Sequence, residues 1–185
     1  AGESSTLTFT LSEASTDFVE ADATVTGGTL SNWTAVSSTV YTATFTPTAD
    51  STTNGVIHVA NDKFSDAASN TNQDEDDANN TVTFTVDTTR PTIAITDDDA
   101  DNSLSAGESS TLTFTLSEAS TDFVEADATV TGGELSNWTA VSSTVYTATF
   151  TPTADSTTNG VIHVANDKFS DAASNTNQDE DDANN

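Results

Sequence analysis

The chain repeats itself. Residues 1–80 align without a gap on residues 106–185, a period of 105, and one aligned position differs, Thr29 against Glu134. Periods of roughly 20–50 residues mark solenoids, whose units bury their apolar face only against a neighbour. A period of 105 is instead the size of a small domain with its own core. The pattern therefore predicts an array of beads, and what one copy specifies the other specifies too.

Within a copy the signal has period two. STLTFTLS (5–12) alternates Leu7, Phe9 and Leu11 with threonine, and VYTATFTPT (40–48) puts Tyr41, Ala43 and Phe45 on one face. GVIHVAND (55–62), TVTFTVDTT (81–89) and PTIAIT (91–96) read the same way. Threonine, valine and phenylalanine suit a half-buried pleated surface, while Gly27–Gly28, Pro47 and Asn54–Gly55 punctuate the runs. No segment keeps a helical period. Several short strands, each with one apolar face, predict an all-β, two-sheet sandwich. Its expected core is Leu7, Phe9, Leu11, Phe18, Val25, Leu30, Trp33, Tyr41, Phe45, Val56, Val59 and Phe64, with their copies.

The best boundary is VDTTRPTIAIT (86–96), because Pro91 biases Arg90 toward extended backbone. The expected domains are 1–88 and 89–185. On this cut the first lacks its first strand, the counterpart of 91–96, and the second lacks its last, the counterpart of 81–88. Either neighbouring molecules supply those strands or the chain, which opens mid-pattern without a leader, is cut from a longer protein.

Charge narrows the partners. Thirty acidic residues face three basic ones, Lys63, Arg90 and Lys168, for a net charge of −27. Nucleic acid needs a basic footprint, and an anionic membrane surface attracts basic segments; neither is an expected partner. No apolar run approaches the roughly 20 residues that span a bilayer. With no cysteine, no disulfide framework exists. Such a chain suits a cation-rich setting.

TDDDADNSLSAGES (96–109) sharpens that expectation. It resembles the twelve-residue calcium loop D-x-[DN]-x-[DN]-G-x5-E, with Asp97, Asp99 and Asp101 at positions 1, 3 and 5 and Glu108 at position 12. Ser103 at position 7 offers its carbonyl, and Ser105 stands at position 9. Asn102 replaces the usual turn glycine, and asparagine enters the left-handed region more readily than most residues. Strands flank the loop, so the loop alone is expected, without the helix pair. The plain alternative is a solvated acidic turn. Zinc prefers His and Cys; His58 and His163, one per copy, are expected on strand faces. A second acidic run, FSDAASNTNQDEDDANN (64–80, again at 169–185), is either a tail between strands or a calcium site through Asp66, Asn70 and Asn72, with Asp74, Glu75, Asp76 and Asp77 nearby.

TLSEASTDFVEADATVTGGTLSNWTAV, followed by YTATFTPTAD and FSDAASNTN, resembles the bacterial immunoglobulin-like extender repeats of giant calcium-dependent RTX adhesins. These come from biofilm-forming and marine Gram-negative bacteria and include ice-binding adhesins. The likeness covers essentially the whole period, including DTTRPTI. It implies tandem immunoglobulin-like β-sandwich domains, secreted by type I machinery to the bacterial cell surface and stiffened by Ca2+ at and near the joints. It also implies ligands: Glu13 in SEA, Asp22 in EADATV, Asp66 and Asn70 in DAASN, and Asp87 in VDTT, with Glu118, Asp127, Asp171 and Asn175 in the second copy. The family usually has glycine where Ser69 stands, which alters the turn at that site.

The expected function is a calcium-rigidified extender, a spacer holding a distal binding domain away from the cell. Its partners are neighbouring repeats of the same chain, it makes no direct membrane contact, and it is monomeric. The alternative is a calcium-dependent homotypic or ligand-binding adhesion module. Threonine arrays such as TLTFT can order water into ice, but threonine is equally a solvent-face strand residue. No Ser–His–Asp spacing, phosphate loop or glycosidase carboxylate pair stands out, so no enzyme is expected.

Overall fold

The computed structural model describes residues 2–74 and 78–178, in two compact units, Ala1–Thr89 and Arg90–Asn185. The first unit is built from β1 (Ser5–Thr10), β2 (Ala23–Thr26), β3 (Gly28–Ala35), β4 (Val40–Pro47), β5 (Gly55–Val59) and β6 (Thr81–Phe84). Its two antiparallel sheets run β1-β4-β3 and β2-β5-β6. The core lies between them: Leu7, Ala23, Phe45 and Ile57 are buried, with Phe9, Val25, Leu30, Val59 and Phe84 packed around them. The ring of Phe45 lies over Gly28 and Gly55, where an added Cβ would come within 2.5 Å and 2.4 Å of ring carbons. That contact, rather than turn geometry, excludes a side chain at both positions.

The second unit comprises β7 (Ile93–Asp97), β8 (Ser110–Leu116), β9 (Ala128–Thr131), β10 (Gly133–Ala140), β11 (Val145–Pro152) and β12 (Val161–Val164). Its sheets run β10-β11-β8-β7 and β12-β9. In each unit a tyrosine hydroxyl crosses the core end to a backbone carbonyl, Tyr41 to Ser15 at 2.9 Å and Tyr146 to Ser120 at 3.0 Å. Both bonds are buried, where a lost partner costs about 1–3 kcal/mol.

Two strands, β2 and β3, lie where the alternation singled out none. In β3 the reason is a bulge: its register against β4 shifts between Ser31 and Thr34, and Asn32 takes φ 55°. The extra residue brings Leu30 and Trp33, an odd number of residues apart, against the same core. One core expectation is corrected. Val56 and Val59 cannot share a face, because the side-chain period of a strand is two. Ile57, 3 % exposed, is the buried member of β5, and the copy of Val56, Val161, is 53 % exposed.

The copies differ in one useful respect. Phe9, Leu11, Val59, Phe64, Asn70 and Asn72 are at least partly exposed, whereas their twins Phe114, Leu116, Val164, Phe169, Asn175 and Asn177 are buried. The reverse holds for Ile57 and Ala23, buried, against Ile162 and Ala128, partly exposed. The aligned residues are the same but for Thr29 and Glu134, so the difference comes from the strand that each unit carries outside the aligned stretch. The second unit has β7 lying against β8, Ile95 opposite Phe114 and Ile93 opposite Leu116. The first has β6 against β5, Val82 opposite Ile57.

Candidate metal centre

The DAASN loop is built by its own aspartate. In the second unit Asp171 Oδ1 accepts the backbone N–H groups of Ala173 at 2.8 Å and Asn175 at 2.9 Å, and Oδ2 accepts the Asn175 side-chain amide at 2.9 Å. The loop closes with Ser174 at φ 63° donating its N–H to the Asp171 carbonyl. The serine at the family's glycine position therefore adopts the left-handed conformation that glycine takes at least cost. Ser69, φ 65°, does the same in the first unit. There Asp66 Oδ1 accepts from Ala68 and Asn70, both at 2.8 Å. The Asn70 amide, 2.7 Å from Oδ2, is the main cause that holds the Asp66 carboxyl below its ordinary value.

Around this loop the second unit gathers oxygen donors. Asp171 is 9 % and Asn175 1 % exposed. Glu118, two residues past the end of β8, brings a carboxylate oxygen within 4.8 Å of one from Asp171. Two oxygens bound to one ion at about 2.3–2.6 Å, the calcium range, can stand at most about 4.6–5.2 Å apart; magnesium, at about 2.0–2.1 Å, needs them closer. Oxygens within 4.8 Å of each other are close enough to share one ion, and the all-oxygen donor set suits a hard cation such as calcium. Asp171 Oδ1 already accepts two N–H groups, whereas Oδ2 accepts one and keeps a lone pair for a cation.

Asp22 and Asp127 are not brought to that pair. Each closes the 3-10 turn beside it, Oδ2 accepting the N–H of Val19 or Val124 at 2.9 Å. Glu13 is exposed in the first unit and is a lesser cause of the lowered Asp66 value. Asp87 is exposed and accepts the N–H of Thr89 at 3.2 Å. Glu75, Asp76 and Asp77 lie outside the described residues.

The 97–108 loop is held by bonds of its own. Asp97 Oδ1 accepts the N–H of Asp99 at 3.0 Å, and the Ser103 N–H goes to Asp99 at 2.7 Å and Asp101 at 3.1 Å. Glu108 Oε2 accepts from Ser105 at 2.7 Å. Asn102 takes φ 53°, the turn conformation its position requires. No three of Asp97, Asp99, Asp101 and Glu108 bring oxygens within 4.8 Å of one another.

Three aspartates outside the expected ligand set do structural work. Asp98 Oδ1 accepts from the Thr111 N–H at 2.7 Å and the Ser110 hydroxyl at 3.0 Å, and these bonds, the Thr111 N–H foremost, depress its pKa. Asp17 ties the SEASTD loop to the DAASN loop: Ser15 Oγ lies at 2.6 Å, the Ser65 N–H at 2.9 Å and Ser65 Oγ at 2.5 Å. The Ser15 hydroxyl first, then Ser65, bring Asp17 down to about 2. Asp122 repeats this with Ser120 and Ser170; partial burial pushes its carboxyl up, and the hydrogen bonds outweigh it, so the value is lowered. The local signal was the S-x-D spacing of a side-chain-closed turn, but the bond to Ser65 spans 48 residues, beyond the reach of any local pattern.

Two antiparallel sheets packed over one core make each unit a β-sandwich, the architecture of the immunoglobulin-like class. The chain belongs to the bacterial Ig-like domain family, whose model matches residues 1–85 and again 87–185. This is a non-catalytic, typically extracellular type of domain that serves as a module of surface proteins. Comparison with curated proteins gives no match, and comparison with solved structures gives none. Among the described residues no helix is long and apolar enough to cross a membrane.

Proposed function

We propose that the repeats are calcium-set extender modules of a large RTX-type adhesin, a spacer that carries a distal binding domain away from the cell. The observation that supports this reading best is the Glu118–Asp171 pair, two carboxylates with oxygens within 4.8 Å of each other and one of them buried. Three basic side chains cannot neutralise thirty carboxylates, so a cation from solution is the natural counter-charge. Glu118, Asp171 and Asn175 hold the ion in the second unit, and Glu13, Asp66 and Asn70 in the first. Asp87 is the joint's own candidate ligand, and metal held by it restricts hinge motion there. In the 97–108 loop the carboxylates accept the N–H groups of Asp99, Ser103 and Ser105 and keep acceptor sites for a second cation. Extracellular sites bind calcium at about 10⁻⁴–10⁻³ M, so they stay empty during export and fill outside the cell. Ice contact by the threonine faces is not part of this reading, since the same strands turn Leu7, Phe45 and Ile57 into the core.

The test is thermal unfolding by circular dichroism in chelator, in 10 mM calcium and in 10 mM magnesium. A site of about 10⁻⁴ M affinity at a hundredfold excess contributes about 2.7 kcal/mol, or roughly 10–20 °C in Tm for a domain of this size. A rise of less than about 3 °C, or an equal rise with magnesium, refutes the proposal. Sedimentation in calcium should show a monomer; association would point to a homotypic adhesion module.

A further inference from the structure

Each unit holds one Asn–Gly pair, Asn54–Gly55 and Asn159–Gly160. The glycine is fixed by packing. A Cβ on Gly55 would lie 2.4 Å from a ring carbon of Phe45, and one on Gly160 would lie 2.5 Å from the Phe150 ring. The asparagine side chain is held by nothing comparable. Asn54 and Asn159 are exposed, in segments without regular structure ahead of β5 and β12. Among the described residues neither side-chain amide has a hydrogen-bond partner. Other loop asparagines are tied down. The Asn70 amide donates to Asp66 at 2.7 Å, the Asn61 side-chain oxygen accepts the Asp74 N–H at 2.8 Å, and Asn72 accepts from Lys63 and donates to Ala60. Each of those three precedes a residue with a side chain, Thr71, Asp62 and Gln73.

We infer that Asn54 and Asn159 are self-modification sites, which convert through a cyclic imide to aspartate and isoaspartate and so loosen the starts of β5 and β12. The backbone nitrogen of the glycine, once deprotonated, attacks the asparagine Cγ. The N–Cγ bond forms, the Cγ–Nδ2 bond breaks, and the amide leaves as ammonia, taking from water the proton that the glycine N–H gave up. Water then opens the imide at either carbonyl, giving aspartate or isoaspartate. No Cβ stands beside a glycine nitrogen to hinder the attack, and an exposed loop amide is free to turn toward it. Isoaspartate runs the main chain through Cβ and Cγ, one carbon longer, and leaves the former carbonyl as a free carboxylate. That carbon enters between two tight contacts. A Cβ on Gly27 would lie 2.2 Å from the Asn54 carbonyl oxygen, and Phe45 covers Gly55; Gly132, at 2.2 Å from the Asn159 oxygen, and Phe150 repeat the arrangement. Close packing does not absorb an added carbon without strain. Aspartate adds only a charge on an exposed side chain.

The test ages the whole 185-residue chain in mildly alkaline buffer beside a free peptide of residues 52–57, TTNGVI. Trypsin cleavage after Lys63 and Lys168 puts Asn54 in residues 1–63 and Asn159 in residues 64–168, so the two copies are read apart. Mass spectrometry with electron-transfer fragmentation separates isoaspartate from aspartate. Isoaspartate is expected at both positions, forming at least about tenfold faster than at any other asparagine, with a rate that rises in proportion to hydroxide. Asn54→Gln keeps the glycine and breaks no hydrogen bond; it should silence position 54 and leave Asn159 reacting as the internal control. The aged chain should unfold at a lower urea midpoint than a chain carrying Asn54→Asp and Asn159→Asp, which has the added charges without the added carbons. Absence of isoaspartate at either site after the free peptide has fully converted, an equal rate at another asparagine, or coincident urea midpoints would overturn the proposal.

Discussion

One substitution made twice in this chain measures what a single strand contributes. Phe114 is 0 % exposed beneath β7, and its twin Phe9 is only partly buried. Ile57 is 3 % exposed beneath β6, and its twin Ile162 is only partly buried. Truncating a fully buried phenylalanine costs about 3–5 kcal/mol, and a buried isoleucine about 2–5 kcal/mol. A side chain partly in water loses less transfer energy and leaves no closed cavity. Phe114→Ala should therefore cost about 1–2 kcal/mol more than Phe9→Ala, while Ile57→Ala costs about 1 kcal/mol more than Ile162→Ala. The order reverses between the two positions, and a unit that is simply weaker throughout cannot produce a reversal. Each unit has its own reporter: Trp33 packs 5.1 Å from Phe9 and Trp138 packs 5.0 Å from Phe114, centroid to centroid. Urea unfolding followed by fluorescence in a Trp138→Phe background reads the first unit, and in a Trp33→Phe background the second. If both pairs shift in one direction, or differ by less than about 0.5 kcal/mol, the flanking strands do not set burial in the way argued.

Two further changes have defined outcomes. Asp17 titrates at about 2 in the folded chain against an ordinary 3.8. A depressed carboxyl contributes stability that is present above the unfolded value and lost as pH falls through the folded one. The first unit should therefore weaken between pH about 4 and 2, and Asp17→Asn should flatten that part of the profile relative to the parent chain; parallel profiles would count against it. Ser174→Gly should stabilise the second unit by about 0.5–1 kcal/mol, the left-handed penalty less the entropy of glycine, measured as a shift of the urea midpoint at constant slope. A loss of stability would mean that the serine side chain contributes more than its backbone costs.

Much of the architecture was written locally. The threonine–apolar alternation in 5–10, 40–47 and 93–97 dictates strands and their buried faces, because a pleated strand has only two sides. The left-handed turn at Asn102 follows from the residue type, since few side chains tolerate that backbone. Phase was lost where apolar residues adjoin, as at Val56–Ile57, and where the β3 bulge inserts an odd residue, because periodicity carries no phase through such points. The candidate site divides similarly. Asp66, Asn70, Asp171 and Asn175 belong to one short loop and could be found by their spacing, whereas the role of Asp17 rests on a contact with Ser65 across 48 residues.

The sequence by itself determined that there are two copies of one all-β domain, that they are strongly acidic, and which loops carry the oxygen donors. Only the tertiary structure decided which copy buries a given residue. Phe9 and Phe114 have the same immediate neighbours in sequence and different ones in space, because β7 lies against β8, and among the described residues no strand of the first unit takes that place against β1. Burial is a property of what packs across a strand, and that partner is set by pairing between distant segments rather than by the strand's own residues.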